Sequence, residues 1–317
     1  MSGEGRARQL CLGTAQLGMK YGIANRLGQP SVADAIRILT HAIASGVTSL
    51  DTARAYGESE RVIGQALKQV GTDKVTVLTK LGALEHLTGE VSDAVLYREI
   101  DASIDASCHA LGLKSLHTVM LHRCAHLRAY DGRIWRRLQQ HKAAGVIGRL
   151  GVSVYDPTEA LVAFATEGIE HIQLPFNILD WRWVAAGVPA ARLRRPQVLV
   201  HVRSVFLQGL LVTSPSAWPA LEGVDSQAIV AELEACAQSL GLASRAELCM
   251  AFALSQGWVD QVVIGVESLP QLQENLRLAD RSRLSDADCM AVCSRLPRVP
   301  LPLLNPSLWS RCAQVRS

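Results

Sequence analysis

Eight short apolar runs alternate with longer amphipathic ones along the whole chain: QLCLG, VTSLD, VTVLTK, HTVML, GRLGVS, HIQLP, VLVHVRS and QVVIG. Runs of this length, rich in Val, Ile and Leu, suit strands buried on both faces. The segments between them place apolar residues at helical spacing and leave through turn residues. Ser31 is set to cap VADAIRILTHAIASG, which exits at Gly46, and Ser59 to cap ERVIGQALKQVG. REIDASIDASCHALG runs to Gly112, DGRIWRRLQQHKAAG to Gly145 and DPTEALVAFATEG to Gly168. Two helical runs, SQAIVAELEACAQSLG and SRAELCMAFALSQG, follow the seventh strand, and Ser268 with Gln271 reads as a capping box for the last βα helix.

Strand and helix in unbroken alternation call for a parallel sheet, and eight such units imply an α/β fold closed into a (β/α)8 TIM barrel. An open doubly wound sheet is the competing architecture. The turn after the first strand, GTAQLGMKYG, lacks the GxGxxG phosphate fingerprint that such a sheet usually carries. No linker rich in Pro, Gly or Ser divides the chain, so residues 1–317 read as one domain. The segment from about residue 297, PRVPLPLLNPSLWS, is expected to drape over the barrel rather than to be helical.

Charge narrows the partners. The net charge is +3 with Lys and Arg scattered, which gives no footprint for nucleic acid and favours a small-molecule partner. No run approaches the ~20 apolar residues of a membrane span, and MSGEGRARQLCLGT lacks the apolar stretch of a signal peptide, so a cytoplasmic protein is expected. Eight cysteines without a CxxC suit a reducing compartment, and Cys289 and Cys293, four apart, read as packing residues on one helix face.

Side chains at the carboxyl ends of barrel strands converge on one face. Asp51 ends the second strand, Tyr56 lies in the loop after it, Lys80 ends the third and His122 follows the fourth. A phenol of pKa about 10 is a poor proton donor at neutral pH, and a neighbouring ammonium lowers that pKa by favouring the phenolate. Asp51 would hold and orient Lys80, His122 would hydrogen-bond the substrate carbonyl or the tyrosine, and Tyr56 would act as general acid in reduction and general base in oxidation. Singly, these are a turn cap, a packed loop tyrosine, a solvated lysine and a buried histidine; jointly, on three successive strand ends, they make a proton-transfer site. His122, Cys124 and His126 run from a strand end into a loop with no acidic partner, so no metal is expected, and GVSVY is not a GxSxG elbow.

The segments LDTARAYGESE, VLTKLG, VMLHRC and GRLGVSVYD, in this order, resemble the signature segments of the aldo-keto reductase superfamily, and the similarity runs from LCLGTAQLGMKYGIAN to IGVESLPQLQENL. The resemblance implies an oxidoreductase that uses NADPH or NADH to reduce an aldehyde or ketone, a sugar or small carbonyl compound, or to run the reverse oxidation. It makes Asp51, Tyr56, Lys80 and His122 the catalytic tetrad. It further implies that Ser153 and Gln173 meet the nicotinamide carboxamide, with Gly13, Thr14 and Asp51 beside it. Ser204, Leu207 and Gly209 would border the pyrophosphate, and Glu274 and Asn275 the adenine. Val154 stands where many members have Asn. Members that prefer NADPH place Lys or Arg at the positions of Gly265, Glu267 and Gln271; none is basic here, and Glu267 would repel a 2′-phosphate while accepting hydrogen bonds from an unmodified ribose. A weak NADPH preference or an NADH preference is therefore expected, with Arg277 and Arg281 as the nearby cations able to restore phosphate binding. Tyr21 and Trp181, with Trp183, Trp218 and Trp309, are candidate walls of the substrate pocket. The competing function is a cofactor-sensing regulatory or binding subunit, since some members keep the tetrad while serving as channel-associated subunits.

Overall fold

The computed structural model describes residues 7, 9–22, 25, 28–87, 89–281 and 283–309. Part of the YGIAN segment, and the chain after residue 309, lie outside the described residues. Eight parallel strands close into a barrel in sequence order. They are β1 (Leu10–Gly13), β2 (Ser49–Asp51), β3 (Thr76–Lys80), β4 (Leu116–Leu121), β5 (Ile147–Ser153), β6 (His171–Pro175), β7 (Leu199–Arg203) and β8 (Gln261–Gly265). β1 closes the ring by pairing with both β2 and β8.

The apolar runs form strands because both of their faces are buried. Leu10, Leu12, Leu50, Val77, Val119, Val152, Ile172 and Val200 belong to the shell that the strands share with the helices. Inside the barrel Cys11, Leu78, Met120 and Val263 pack as a separate small cluster, so the ring is filled. Below the rim His171 and His201 meet edge to face, centroids 4.1 Å apart. Burial drives His171 well below its ordinary pKa and His201 down to about 3, so both rings are neutral.

The main helices are α1 (Val32–Ala44), α2 (Ser59–Val70), α3 (Asp93–Leu111), α4 (Arg133–Ala143), α5 (Pro157–Ala165), α6 (Val188–Arg194), α7 (Ser226–Ser239), α8 (Arg245–Leu254), α9 (Leu269–Ala279) and α10 (Asp286–Arg295). Ser31 caps α1 as expected, accepting from the Asp34 amide. Several boundaries differ from the sequence reading. α3 begins five residues earlier, at Asp93, because Ser92 caps it. α5 ends at Ala165, short of Gly168. Between β6 and β7 the chain forms a helical turn at Arg182–Ala185 and then α6, neither expected from the sequence. The tail is partly helical, with turns at Leu301–Leu304 and Pro306–Leu308 pinned where the Trp309 indole donates to the Pro302 carbonyl at 3.0 Å. α10 carries Cys289 half-buried and Cys293 exposed.

Candidate active site

Nearly every polar residue of LDTARAYGESE has a local structural task at the mouth of the barrel. Asp51 ends β2 level with Gly13 of β1. The Thr14 hydroxyl donates to the Asp51 carbonyl at 2.8 Å and shares a 2.6 Å hydrogen bond with Ser59 Oγ, which lies 2.9 Å from Thr52 Oγ1. Ser59 therefore begins α2 without capping it, because its hydroxyl is spent tying the first two βα loops together. Arg54 pairs with buried Glu60, whose other oxygen accepts from Thr79 at 2.6 Å. Gly18 lies so close to the Tyr56 loop that a Cβ there would sit 2.0 Å from the Tyr56 carbonyl oxygen. Gly57, at φ +54°, makes the turn that returns the chain to α2. The backbone carrying Tyr56 is thus held from both sides.

At the Tyr56 ring stand Lys80 from the end of β3 and His122 just after β4, with Asp51 of β2 and Gln173 of β6 behind them. Lys80, 1% exposed, donates to Asp51 Oδ1 at 2.7 Å and to the Thr52 carbonyl at 3.0 Å. Its Nζ stands 5.1 Å from the centroid of the Tyr56 ring. Gln173 Nε2 donates to the same Asp51 oxygen at 2.7 Å. His122 meets the Tyr56 ring edge-on, centroids 6.0 Å apart. Burial pulls the Lys80 pKa down, but Asp51 and Tyr56 more than offset it and the ammonium ends above its ordinary value. Burial, and then the Lys80 charge, push His122 down to about 4, so its imidazole is neutral at physiological pH. The sequence reading expected the ammonium to bring the phenol below its ordinary pKa. Tyr56 instead lies above 10, because desolvation outweighs Lys80. The group is a firmly protonated phenol beside a fixed positive charge.

A cavity of about 600 Å³ leads away from Tyr56 across the ends of β1, β7 and β8. Gly13, Thr14, Tyr21, Asp51, Tyr56, Ser204, Gly209, Gly265, Glu267, Gln271, Glu274 and Asn275 all line it. Lys80, His122, Ser153, Gln173 and Leu207 do not. Lys80 and Gln173 lie behind Asp51, Ser153 is level with Gln173 in the sheet, and Leu207 is turned into the core. Trp181 is also off the wall, with the Arg298 guanidinium 4.7 Å over its ring. Trp183 is buried with its indole donating to Asp180 at 2.9 Å, and Trp218 and Trp309 are core residues.

The cavity fits an elongated dinucleotide in three respects. Behind the Asp51 wall, Gln173 Oε1 is a buried acceptor with no hydrogen-bond partner among the described residues. The loop after β7 holds Ser204, Leu207 and Gln208 at φ +64°, +48° and +53°, followed by Gly209 at +86°. Non-glycine residues in the left-handed region cost energy, and such runs turn backbone amides into anion-binding concavities. At the far end Ser268 caps α9, its Oγ accepting from the Gln271 amide, and leaves the amides of the first turn at the cavity edge. The capping box is displaced by one residue, since Gln271 Oε1 accepts from the Glu267 amide at 2.7 Å.

Sequence reasoning missed Arg203, the last residue of β7, which lines the cavity beside Ser204. Its only signal was a basic residue closing a largely apolar strand. Gln16, Asn25 and Phe206 also line the wall and were not anticipated.

The sequence model of the Aldo/keto reductase family matches residues 9–294. The NADH-specific methylglyoxal reductase of Escherichia coli (strain K12) is 24% identical over 77% of this chain and 81% of its own length. An uncharacterized oxidoreductase, YqkF, of Bacillus subtilis (strain 168) is 25% identical over 82% and 87%. Among solved structures, the aldo-keto reductase AKR11C1 of Bacillus halodurans in its holo form superposes with a TM-score of 0.70, covering 92% of this chain and 93% of that one at 22% identity, a likeness of fold.

Proposed function

The chain belongs to the aldo/keto reductase family, a nicotinamide-dependent oxidoreductase of carbonyl compounds, and from that premise we propose that Tyr56 is its proton donor and NADH its preferred reductant. The observation that carries the proton-donor reading is Lys80, locked between Asp51 and the Thr52 carbonyl with its ammonium 5.1 Å from the Tyr56 ring. A bound nicotinamide supplies the hydride to the carbonyl carbon. As negative charge grows on the carbonyl oxygen, Tyr56 gives up its proton, and the nearby ammonium stabilises the phenolate left behind. Neutral His122 donates an N–H to the same oxygen without competing as an acid. Asp51 and Gln173 hold Lys80 and each other in place, and the Oε1 of Gln173 offers the carboxamide its acceptor.

Three carboxylate relationships support NADH. Arg277 is committed to Glu274 through bonds of 2.7 and 2.5 Å, and Arg281 to Glu247 at 3.0 Å, so neither candidate for phosphate rescue is idle. Glu267 lines the cavity with its pKa raised by burial, and Arg203, at the opposite end, is the one Lys or Arg among the described lining residues. A 2′-phosphate would meet a carboxylate; a ribose 2′-hydroxyl would be accepted by it. NADH is expected to bind at least about tenfold more tightly than NADPH, a difference of ~1.4 kcal/mol, and Glu267→Gln to shrink that ratio severalfold. Fluorescence titration of both cofactors checks this, and tighter NADPH binding in the wild type contradicts it.

The substrate is proposed to be a small aldehyde or ketone, with methylglyoxal the first to test because the Escherichia coli relative is named for it. Tyr21, 42% exposed at the cavity entrance, is proposed to pack against it. Steady-state oxidation of NADH over a panel of sugars and short aldehydes is expected to show turnover, and a panel inert at millimolar concentrations would sink the reading. The proposed setting is the cytoplasm. Among the described residues no helix is long and apolar enough to cross a membrane, and the seven described cysteines are free thiols.

A further inference from the structure

We propose that Arg203 is a specificity-determining residue that recognises an acidic group, a carboxylate in the first instance, carried by the carbonyl substrate. The proposal rests on the reductase reading above and deepens it. Other arginines with largely covered side chains are neutralised by carboxylates: Arg54 by Glu60, Arg137 by Asp101, Arg182 by Asp180 and Arg192 by Asp260. Arg203 is not. Its guanidinium lies 4.8 Å over the ring of Tyr155, which covers one flat face but takes up none of its N–H donors, and its Nη2 is buried without a hydrogen-bond partner. A guanidinium held in a cavity without a counter-charge is costly, and an incoming carboxylate satisfies it through paired N–H···O bonds.

Charge balance at the reacting end gives the same answer. Lys80 is compensated by Asp51, and both His122 and Tyr56 are neutral at physiological pH, so Arg203 leaves that end with one positive charge. The opposite end carries Glu267 and an already paired Glu274. A ligand phosphate would satisfy a guanidinium equally well, and the cofactor brings one. The position of Arg203 favours the substrate: it ends β7 level with Pro175, and its charge is felt at Tyr56, Lys80 and His122. An acidic group a few bonds from the carbonyl would reach it while the carbonyl oxygen faces Tyr56.

The test compares 4-oxobutanoate with its methyl ester, which lacks the charge and adds one methyl group, at saturating NADH. The expected result is a carboxylate-to-ester ratio of kcat/KM of about tenfold or more in the wild type, expressed mainly in KM, as for a charge-assisted contact. Arg203→Met should bring that ratio to near unity, and Arg203→Lys should keep part of it. A wild-type ratio near unity overturns the proposal, as does a ratio that survives in Arg203→Met. A tenfold rise in the NADH Kd of Arg203→Met with the ratio intact also overturns it, by assigning the guanidinium to the cofactor. Should the wild type bind NADH but reduce neither compound nor any aldehyde of the panel, the reductase reading fails. The Arg203 proposal is then decided by Kd values of the two compounds for the NADH complex, which must differ by about tenfold in favour of the carboxylate. Unchanged thermal melting of each variant confirms that it is folded.

Discussion

Replacing Tyr56 with Phe is expected to lower kcat/KM for carbonyl reduction by about 10²–10⁴-fold, the usual worth of a positioned general acid, while NADH binding persists. The substitution removes one oxygen and leaves the ring that Lys80 and His122 contact, so the loop between Gly18 and Gly57 has no reason to move. The same geometry fixes the pH profile of the wild type. Reduction needs the phenol protonated, and its pKa lies above 10 because burial outweighs the ammonium. The nearest other titration is His122 at about 4. The kcat/KM for reduction should therefore be flat between about pH 5 and about pH 9 and fall only at higher pH, as the phenolate forms. An inflection near 6.5 would show that His122 titrates as an ordinary histidine.

Lys80→Met should be the most destabilising single change at the site, by about 3–5 kcal/mol, because it strands the buried Asp51 carboxylate without its counter-ion. Denaturant unfolding with an unchanged m-value measures this. Combining it with Asp51→Asn removes the stranded charge and keeps an acceptor for the Gln173 amide, so the double variant should recover much of the stability. Activity should stay lost in both, since neither has an ammonium beside Tyr56. The pH dependence has a definite sign. The folded pKa of Lys80 is raised, so the pair contributes fully below the unfolded-state value of about 10.4 and its contribution fades as pH rises through the folded value. A double variant as unstable as Lys80→Met would argue that lost packing, not the stranded charge, is the cost.

The barrel was legible because its strands are buried on both faces, and continuous Val, Ile and Leu runs have few other uses. Asp51, Lys80 and His122 were legible as strand-end polar residues because each follows the last apolar residues of a strand-like run. Long-range hydrogen bonding was not legible. Ser59 looks like a helix cap from its neighbours, yet its hydroxyl joins Thr14 and Thr52, residues 45 and seven positions away in the chain. Gln173 was expected to face the cofactor, and its amide nitrogen is already bound to Asp51, 122 positions earlier, which leaves only its oxygen for a ligand. The phenol pKa was misjudged because a sequence shows which charges are near but not how much water is excluded. Arg203 was passed over because a basic residue at a strand end ordinarily finds a carboxylate, and only the folded structure reveals that this one has none among the described residues.

The central claim is that this site transfers hydride and proton to a carbonyl instead of merely sensing a nicotinamide. A single-turnover reaction with NADH deuterated at C4 of the nicotinamide and an excess of methylglyoxal or another reducible aldehyde tests it. The predicted result is one deuterium on the carbinol carbon of the alcohol for each NADH consumed, and near-complete loss of that product in Tyr56→Phe despite bound cofactor. NADH held tightly by the wild type but left unoxidised across the aldehyde panel would contradict the claim and favour a cofactor-sensing subunit.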